Sequence, residues 1–267
     1  MLIASHSEVV LRKAVDVEDN VLALYPQAPP RLINDKGTQL LKALRTIGFE
    51  EYYMAQQTGW ILYVEGGLDL PILRKFAKKL EHPALPWLEN CFYKTINSND
   101  PAQARNHFTG LKDAKPDLTG IALYDHISNP LNVMDGLHEL KWEKNEVENY
   151  FFSQKILLAW AGGKVVQDLF GPSEAQERLN AMEKALDDVL PGAAKRDDND
   201  SYWSESKASA EMEKILKAYH KYLGHPGITS KSRFLELIDF MTVEDINAEI
   251  KRKLDFIFQS IPNRKRG

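Results

Sequence analysis

The sequence is short of several features that would assign it quickly to a class of proteins. It contains a single cysteine, Cys91, so no internal disulfide can form, and this scarcity indicates a reducing, cytoplasmic setting. No apolar run approaches the roughly 20 residues that a membrane-spanning helix needs. Residues 1–5 lack the basic end and the longer apolar segment of a secretory signal. We therefore expect no membrane association.

The sequence also lacks a large excess of either positive or negative charge. The chain has 34 Lys and Arg against 38 Asp and Glu, so its formal net charge is −4. The molecule as a whole is not a basic nucleic-acid binder, and any contact with nucleic acid must come from local patches. With 267 residues, of which 43% are hydrophobic, the composition is that of an ordinary globular protein with one large domain or two small ones.

The strongest signal present is an apolar, partly β-branched run that ends at an acid and two glycines. The run Ile61–Val64 predicts a buried strand, and Glu65 follows it directly, before Gly66 and Gly67. Glycine lets the backbone turn tightly, so this turn can approach a metal ion or a phosphate. Asp69 adds a carboxylate four residues after Glu65 and is also a plausible helix N-cap.

A second apolar run, Gly120–Tyr124, also ends in an acid, Asp125. Together with a strand candidate at 91–96, the order is strand, helix, strand, helix, strand, which favours parallel strands joined by right-handed crossovers. Parallel strands end at one edge of a sheet, so we expect Glu65 and Asp125 to meet there and to hold a divalent cation for phosphodiester chemistry. The alternative for each acid is a solvated turn residue.

After Pro130 the pattern becomes helical. Glu146 and Glu148 open an apolar helix over 150–160, and Asn145 with Glu148 fits a capping box, which is as good an explanation of the acids as a metal role. Further helices are predicted over 173–190 (with Ser173 and Gln176 as a capping-box pair), 205–223, 231–241 and 243–259.

Two lysines of this helical region are candidates for neutralising a phosphate charge. Lys207 and Lys231 lie in polar, predicted helical surroundings. Most lysines on such faces are merely solvated, and that alternative stays open for both.

Segments of the chain resemble a known family. Tyr63–Asp69, Ala122–Asp125 and Glu146–Tyr150 resemble the Toprim domain of OLD-family (overcoming lysogenization defect) ATP-dependent nucleases. Leu2–Ser7 resembles the switch-histidine segment that closes the ABC-type ATPase core joined to Toprim in that family. The resemblance spans residues 1–155. It implies an α/β fold with a Toprim-like, mainly parallel sheet flanked by helices and followed by a helical C-terminal region.

The resemblance divides the chain into three parts. Residues 1–58 would be the tail of an ABC-type ATPase domain and a connecting helix, residues 59–155 the Toprim-like domain, and residues 156–267 the helical region. His6 would be the nucleotide switch histidine, but only with an intact ATPase. Walker A, Walker B and signature motifs are absent, so ATP would act only through a missing or separate ATPase portion. The chain is expected to be a fragment, a truncated product or the partner of such an ATPase.

The resemblance also assigns roles to the residues that match the motifs. Glu65 would be a general acid/base or a metal ligand, and Asp69 a further acid. Asp125 would bind Mg²⁺ or Mn²⁺. Glu146 or Glu148 would supply a later acidic ligand, and Glu148 is better aligned with the family's motif than Glu146. Lys207 is a weak candidate for the catalytic lysine that some relatives have downstream.

One position departs from the family's pattern. Ile127 stands where the family has the second aspartate of a metal-binding pair, and isoleucine cannot bind a cation. Two functions therefore follow. The first is the metal-dependent DNA endonuclease or nickase portion of an OLD-like, homo-oligomeric ATPase system of phage defence. The alternative is a catalytically degenerate Toprim module that serves as an interaction or regulatory domain for an ATPase. A topoisomerase or a primase is disfavoured, the latter because one cysteine cannot make a CxxC pair.

Overall fold

In the part of the chain that the structure describes, strands and helices are mixed up to residue 141, and only helical elements follow. The computed structural model describes residues 22–25, 28–32, 49–98, 100–128, 130–163, 171–224 and 231–262. The strands are Leu22–Tyr25 (β1), Ala28–Leu32 (β2), Trp60–Val64 (β3), Tyr93–Thr95 (β4), Thr119–Tyr124 (β5) and Leu137–Lys141 (β6). The helices are Phe49–Thr58 (α1), Asp69–Lys79 (α2), Leu85–Glu89 (α3), Pro101–Ala114 (α4), Gln154–Gly162 (α5), Gly171–Val189 (α6), Tyr202–Glu205 (α7), Ala208–Tyr222 (α8), Phe234–Asp239 (α9) and Ala248–Ser260 (α10), with 3-10 turns at Val147–Tyr150 and Lys231–Arg233.

A four-stranded sheet in the order β4-β3-β5-β6 is the centre of the fold, and all of its neighbouring strands are parallel. β1 and β2 pair separately in an antiparallel hairpin. The predicted alternation of strands and helices up to β5 is confirmed, and so is the α/β class with a parallel sheet flanked by helices. Every residue of β3 is buried, which explains why its sequence is a continuous apolar run.

Helices cover both faces of the sheet. Ile61 and Tyr63 pack with α1 and α4 in one apolar cluster. Leu62 and Val64, which point to the opposite face, belong to a larger cluster with α2, α3 and the helices after residue 155. The C-terminal helices therefore share their core with the sheet. The predicted boundary between residues 155 and 156 does not coincide with a break in this packing, and the three-part division stays a prediction.

Several local predictions are wrong. The capping box at the start of the acidic turn pairs Glu146 with Asn149, whereas we expected Asn145 with Glu148. The helix expected from residue 150 begins at Gln154 after a 3-10 turn. Helix α6 already includes Gly171, so Ser173 lies inside it and does not cap it.

The strand β6 was not expected, because His138, Glu139 and Lys141 make its sequence polar. The segment with His6 lies outside the described residues. None of the helices in the described ranges is long and apolar enough to cross a membrane.

Gly120 in β5 makes close packing between the sheet and α4 possible. A Cβ atom at this position would lie 2.7 Å from two ring carbons of Phe108 and 2.8 Å from Leu137 Cδ1. We predict that Gly120→Ala lowers the free energy of unfolding by about 1–3 kcal/mol, because neither neighbour can retreat within a filled core.

Urea unfolding followed by tryptophan fluorescence measures this change. Gly67→Ala is the matched control, since a Cβ there meets no atom within 4 Å. Equal losses of stability in the two variants would contradict the packing argument.

Candidate metal centre

The ends of β3 and β5 bring Glu65 and Asp125 together. The strands pair in register, with Val64 opposite Leu123, so Glu65 comes one residue and Asp125 two residues after that pair. The backbone N–H of Asp125 donates a hydrogen bond to Glu65 Oε2 at 3.3 Å. The two acids thus lie at one edge of the sheet, as the strand order requires.

Asp69 closes the turn between β3 and α2. Its Oδ2 accepts hydrogen bonds from the backbone N–H groups of Glu65, at 3.0 Å, and of Gly66, at 2.9 Å. The expectation that Asp69 is a helix N-cap is wrong, because Leu68 holds that position and Asp69 is the first helical residue. A Cβ on Gly66 would lie 3.0 Å from Asp69 Oδ1, and the φ angle of Gly66 is not positive. Glycine is therefore suited to this turn because it lets the carboxylate come close.

The 3-10 turn Val147–Tyr150 carries the third acidic pair to the same edge. The backbone N–H of Val147 donates to Asp125 Oδ1 at 3.3 Å, which ties the turn to the end of β5. Glu146 precedes the turn and Glu148 lies within it, and the two residues are only 7% and 9% exposed. Buried carboxylates need partners, so their hydrogen bonds decide what each can do.

The two glutamates differ in those partners. Glu146 accepts hydrogen bonds from the backbone N–H of Ser209, at 2.8 Å, and from Ser209 Oγ, at 3.2 Å. Its carboxylate is therefore held at the N-terminal turn of α8. In the described part of the chain, no other residue donates a hydrogen bond to the Glu148 carboxylate or forms an ion pair with it. Glu148 is accordingly the better candidate for a metal ligand.

The five acids form a cluster of mutually repelling charges, which we call the acid cluster: Glu65, Asp69, Asp125, Glu146 and Glu148. Burial raises the pKa of Asp125 to about 9, with further contributions from the charges of all the other members. Burial also raises the pKa of Glu148 to about 7, helped by Asp69 and Glu146. The pKa of Asp69 rises to about 6 because of burial, although its backbone hydrogen bonds oppose the change. Burial raises the pKa of Glu65 too.

Two lysines bring positive charge toward the acid cluster. Burial raises the pKa of both Glu65 and Glu148, and the charge of Lys207 opposes this rise weakly at Glu65, as the charge of Lys231 does at Glu148. Both lysines are exposed, and within the described ranges neither forms a salt bridge with a member of the cluster. The negative charge of the cluster is therefore only weakly compensated, and oxygen-rich, negatively charged groups of this kind suit hard cations such as Mg²⁺ and Mn²⁺.

The side chains do not form a finished coordination cage. Among the residues that the structure describes, no group of three His, Cys, Asp or Glu side chains is arranged to hold one metal ion. Glu65 and Asp69 turn their carboxylates toward backbone amides instead. The donor chemistry and the weakly compensated charge fit a divalent cation, and side-chain rotation would be needed to complete its coordination.

Ile127 does not face the acid cluster. It is 5% exposed and belongs to the apolar cluster on the other face of the sheet, together with Tyr63 and Phe108. An aspartate at this position would be buried among apolar side chains. The isoleucine at position 127 is therefore a core residue. The sequence alone did not predict this, because the direction of the Ile127 side chain depends on the path of the backbone after β5.

Comparison with known proteins adds little to this geometry. No protein-family model matches the chain, and comparison with curated protein sequences gives no match. Among solved structures, the chain is similar to the C-terminal region of the Burkholderia pseudomallei OLD protein, with 13% sequence identity and a TM-score of 0.37. The likeness covers 76% of this chain and 98% of that one. Because the sequence identity and the TM-score are both low, this likeness carries no argument about the site.

The raised pKa values predict how the stability of the metal-free protein depends on pH. The folded state holds protons on Asp125, Glu148 and Asp69 that the unfolded chain has lost, so unfolding releases protons and the stability that these groups contribute falls as pH rises from about 4 to 9. We expect Asp125→Asn to raise the free energy of unfolding at pH 8, without metal, by more than about 1 kcal/mol, since one pKa unit corresponds to about 1.4 kcal/mol.

Chemical denaturation at pH 5 and pH 8 in the presence of a chelator measures this effect. Asp198→Asn, which changes an exposed acid outside the cluster, is the control and should leave the pH dependence unchanged. Parallel pH curves for Asp125→Asn and the unmodified protein would show that burial and the neighbouring carboxylates do not raise the pKa of Asp125.

Proposed function

We propose that this chain is a divalent-metal-dependent phosphodiester hydrolase, the Toprim-like nuclease portion of an OLD-like system, which cuts or nicks DNA. The observation that supports it is the acid cluster, because carboxylates from two neighbouring strand ends and one turn gather there without a salt bridge to any described cation. A structural role does not require such an arrangement, since uncompensated buried charge destabilises a fold.

Within this proposal the acids have different tasks. Glu65, Asp125 and Glu148 would hold Mg²⁺ or Mn²⁺, since their carboxylates have the fewest competing donors. The cation would stabilise charge on the scissile phosphate and activate a water molecule. Asp69 keeps the β3–α2 turn closed through two backbone amides, so it orients Glu65 more than it ligates.

The lysines beside the cluster complete the proposed site. Lys207 lies at the N-cap of α8 and is exposed, so its ammonium group can meet a phosphate oxygen. Lys231 brings a second positive charge toward Glu148. The overall charge of −4 makes such local cations the natural contacts for a DNA backbone. An ATPase domain or subunit as partner, homo-oligomerisation and a role in phage defence remain expectations from the resemblance, and the cytoplasmic setting remains an expectation from the single cysteine.

Plasmid nicking with Mg²⁺ and with Mn²⁺ tests the proposal. We expect the unmodified chain to convert supercoiled plasmid, and Glu65→Gln, Asp125→Asn and Glu148→Gln each to reduce the rate by at least about 100-fold, because each removes charge that holds the cation. Glu177→Gln, an exposed acid on α6, is the matched control.

Calorimetric titration with Mn²⁺ provides the accompanying measurement. Binding should be present in the unmodified chain and weakened in the three variants. A chain that neither binds Mn²⁺ nor nicks plasmid with either metal would overturn the proposal.

The alternative is a degenerate Toprim module that serves an ATPase as an interaction or regulatory domain. The absence of a preformed metal cage among the described residues and the burial of Ile127 favour it. Mn²⁺ binding that is lost in Asp125→Asn would argue against it.

Ile127→Asp addresses the missing aspartate directly. We predict that it lowers the free energy of unfolding by roughly 3 kcal/mol or more and does not raise the nicking rate above that of the unmodified chain, because the new carboxylate enters an apolar core. Ile127→Val is the control, with an expected loss of about 0.5–1.5 kcal/mol. Thermal melting and the nicking assay check both statements, and a stable Ile127→Asp protein that nicks faster than the unmodified chain would contradict them.

A further inference from the structure

A buried amide side chain joins the acid-bearing turn to the segment that carries Lys207. Asn149 is 1% exposed, and its Oδ1 accepts a hydrogen bond from the backbone N–H of Glu146 at 2.7 Å. Its Nδ2 donates to the backbone carbonyls of Trp203, at 3.0 Å, and of Ser206, at 3.1 Å. One side of this amide thus holds the turn, and the other side holds a segment more than fifty residues away in the sequence.

The same two segments are joined at other points. Glu146 binds Ser209 through both of its carboxylate oxygens. The backbone N–H of Asn145 donates to the Ser204 carbonyl at 2.8 Å, and its side-chain amide donates to the Ser206 carbonyl at 3.2 Å.

Lys207 lies inside this set of hydrogen bonds, immediately after Ser206 and two residues before Ser209. Its backbone is therefore held on both sides, although its side chain is exposed. A lysine side chain is long and flexible, so the position of its ammonium group depends on how firmly its backbone is held. Misplacement of a charged group by about 1 Å can cost on the order of 100-fold in rate.

We propose that Asn149 is a positioning residue that holds Lys207 at the acid cluster, where the phosphate of the substrate would bind. This inference rests on the proposed function. An apolar residue would fill the same space without the cost of burying an amide, but it would take a donor away from the Trp203 and Ser206 carbonyls. The Asn149 side chain divides its hydrogen bonds between the two segments, which is the pattern expected of a group that sets their relative position.

Two substitutions separate the two sides of the amide. Asn149→Ala removes every side-chain hydrogen bond. Asn149→Asp keeps the oxygen that accepts from Glu146 but places an oxygen against the Trp203 and Ser206 carbonyls. Both variants lose the hydrogen bonds to the Trp203 and Ser206 carbonyls, which hold the segment with Lys207. We therefore expect both to lower kcat for plasmid nicking by about 10–100-fold with little change in KM. A role confined to the acidic turn would spare Asn149→Asp.

A double-mutant cycle with Lys207→Ala identifies Lys207 as the group through which Asn149 acts. If Asn149 positions this lysine, adding Asn149→Asp to Lys207→Ala should cost less than about threefold, because the lysine is already missing. Asn180→Asp introduces the same charge at an exposed position of α6 and is the control. A lower melting temperature is expected in either case, because the Trp203 and Ser206 carbonyls lose a donor. Mn²⁺ titration accompanies the kinetics, since a merely structural role would lower metal affinity and would add to the loss caused by Lys207→Ala.

The possible outcomes are distinct. Nicking by the unmodified chain, with non-additive losses in the cycle, supports the inference. Nicking that survives in both Asn149 variants, or losses that multiply in the double variant, overturns the inference and leaves the proposed function standing. No nicking by the unmodified chain overturns the proposed function and this inference with it.

Discussion

The burial of carboxylates that also repel one another, at the end of a parallel sheet, is the constraint on which the rest of this structure depends. Parallel strands end at the same edge, so acids that follow β3 and β5 are forced together by the topology. A third acidic segment, the 3-10 turn, is hydrogen-bonded to the same edge through Asp125. In a poorly solvated setting this charge is unfavourable, and the raised pKa values of the cluster express that cost. A bound cation would offset this unfavourable free energy by neutralising the carboxylates.

The acids meet this constraint in two ways. Asp69 and Glu146 are bound by amide donors of the protein, so they hold the β3–α2 turn and the start of α8 in place. Asp125 and Glu148 have few donors, and burial with the neighbouring charges raises the pKa of Asp125 to about 9 and that of Glu148 to about 7. The first pair thus stabilises the shape of the site, and the second pair carries the charge that a ligand can neutralise. This division explains why five carboxylates can lie together without all of them being ligands.

The C-terminal helices belong to the candidate site as much as the sheet does. Residues of α5, α6, α8, α9 and α10 share one apolar core with β3 and β5. That packing fixes residues 203–209 beside the acidic turn, where Asn149 binds Trp203 and Ser206 and Glu146 binds Ser209. Lys207 therefore depends for its place on a region in which the sequence shows no sharp motif.

Local patterns in the sequence determined the parts of this protein that depend on near neighbours. The continuous apolar runs of β3 and β5 identified buried parallel strands. Because strand ends meet in a parallel sheet, the closeness of Glu65 and Asp125 was also predictable. The resemblance of the acidic motifs pointed to the same edge.

Only the tertiary structure decided the rest. Both Asn145 with Glu148 and Glu146 with Asn149 fit a capping box, and contacts with Trp203, Ser206 and Ser209 select the second pair. Strand β6 is polar in sequence and forms because β5 offers it a partner. Ile127 lies two residues after Asp125, yet it packs in the core of the opposite face. In each case the deciding partner is distant in sequence, so packing and hydrogen bonding across the fold, and not local propensity, determine the outcome.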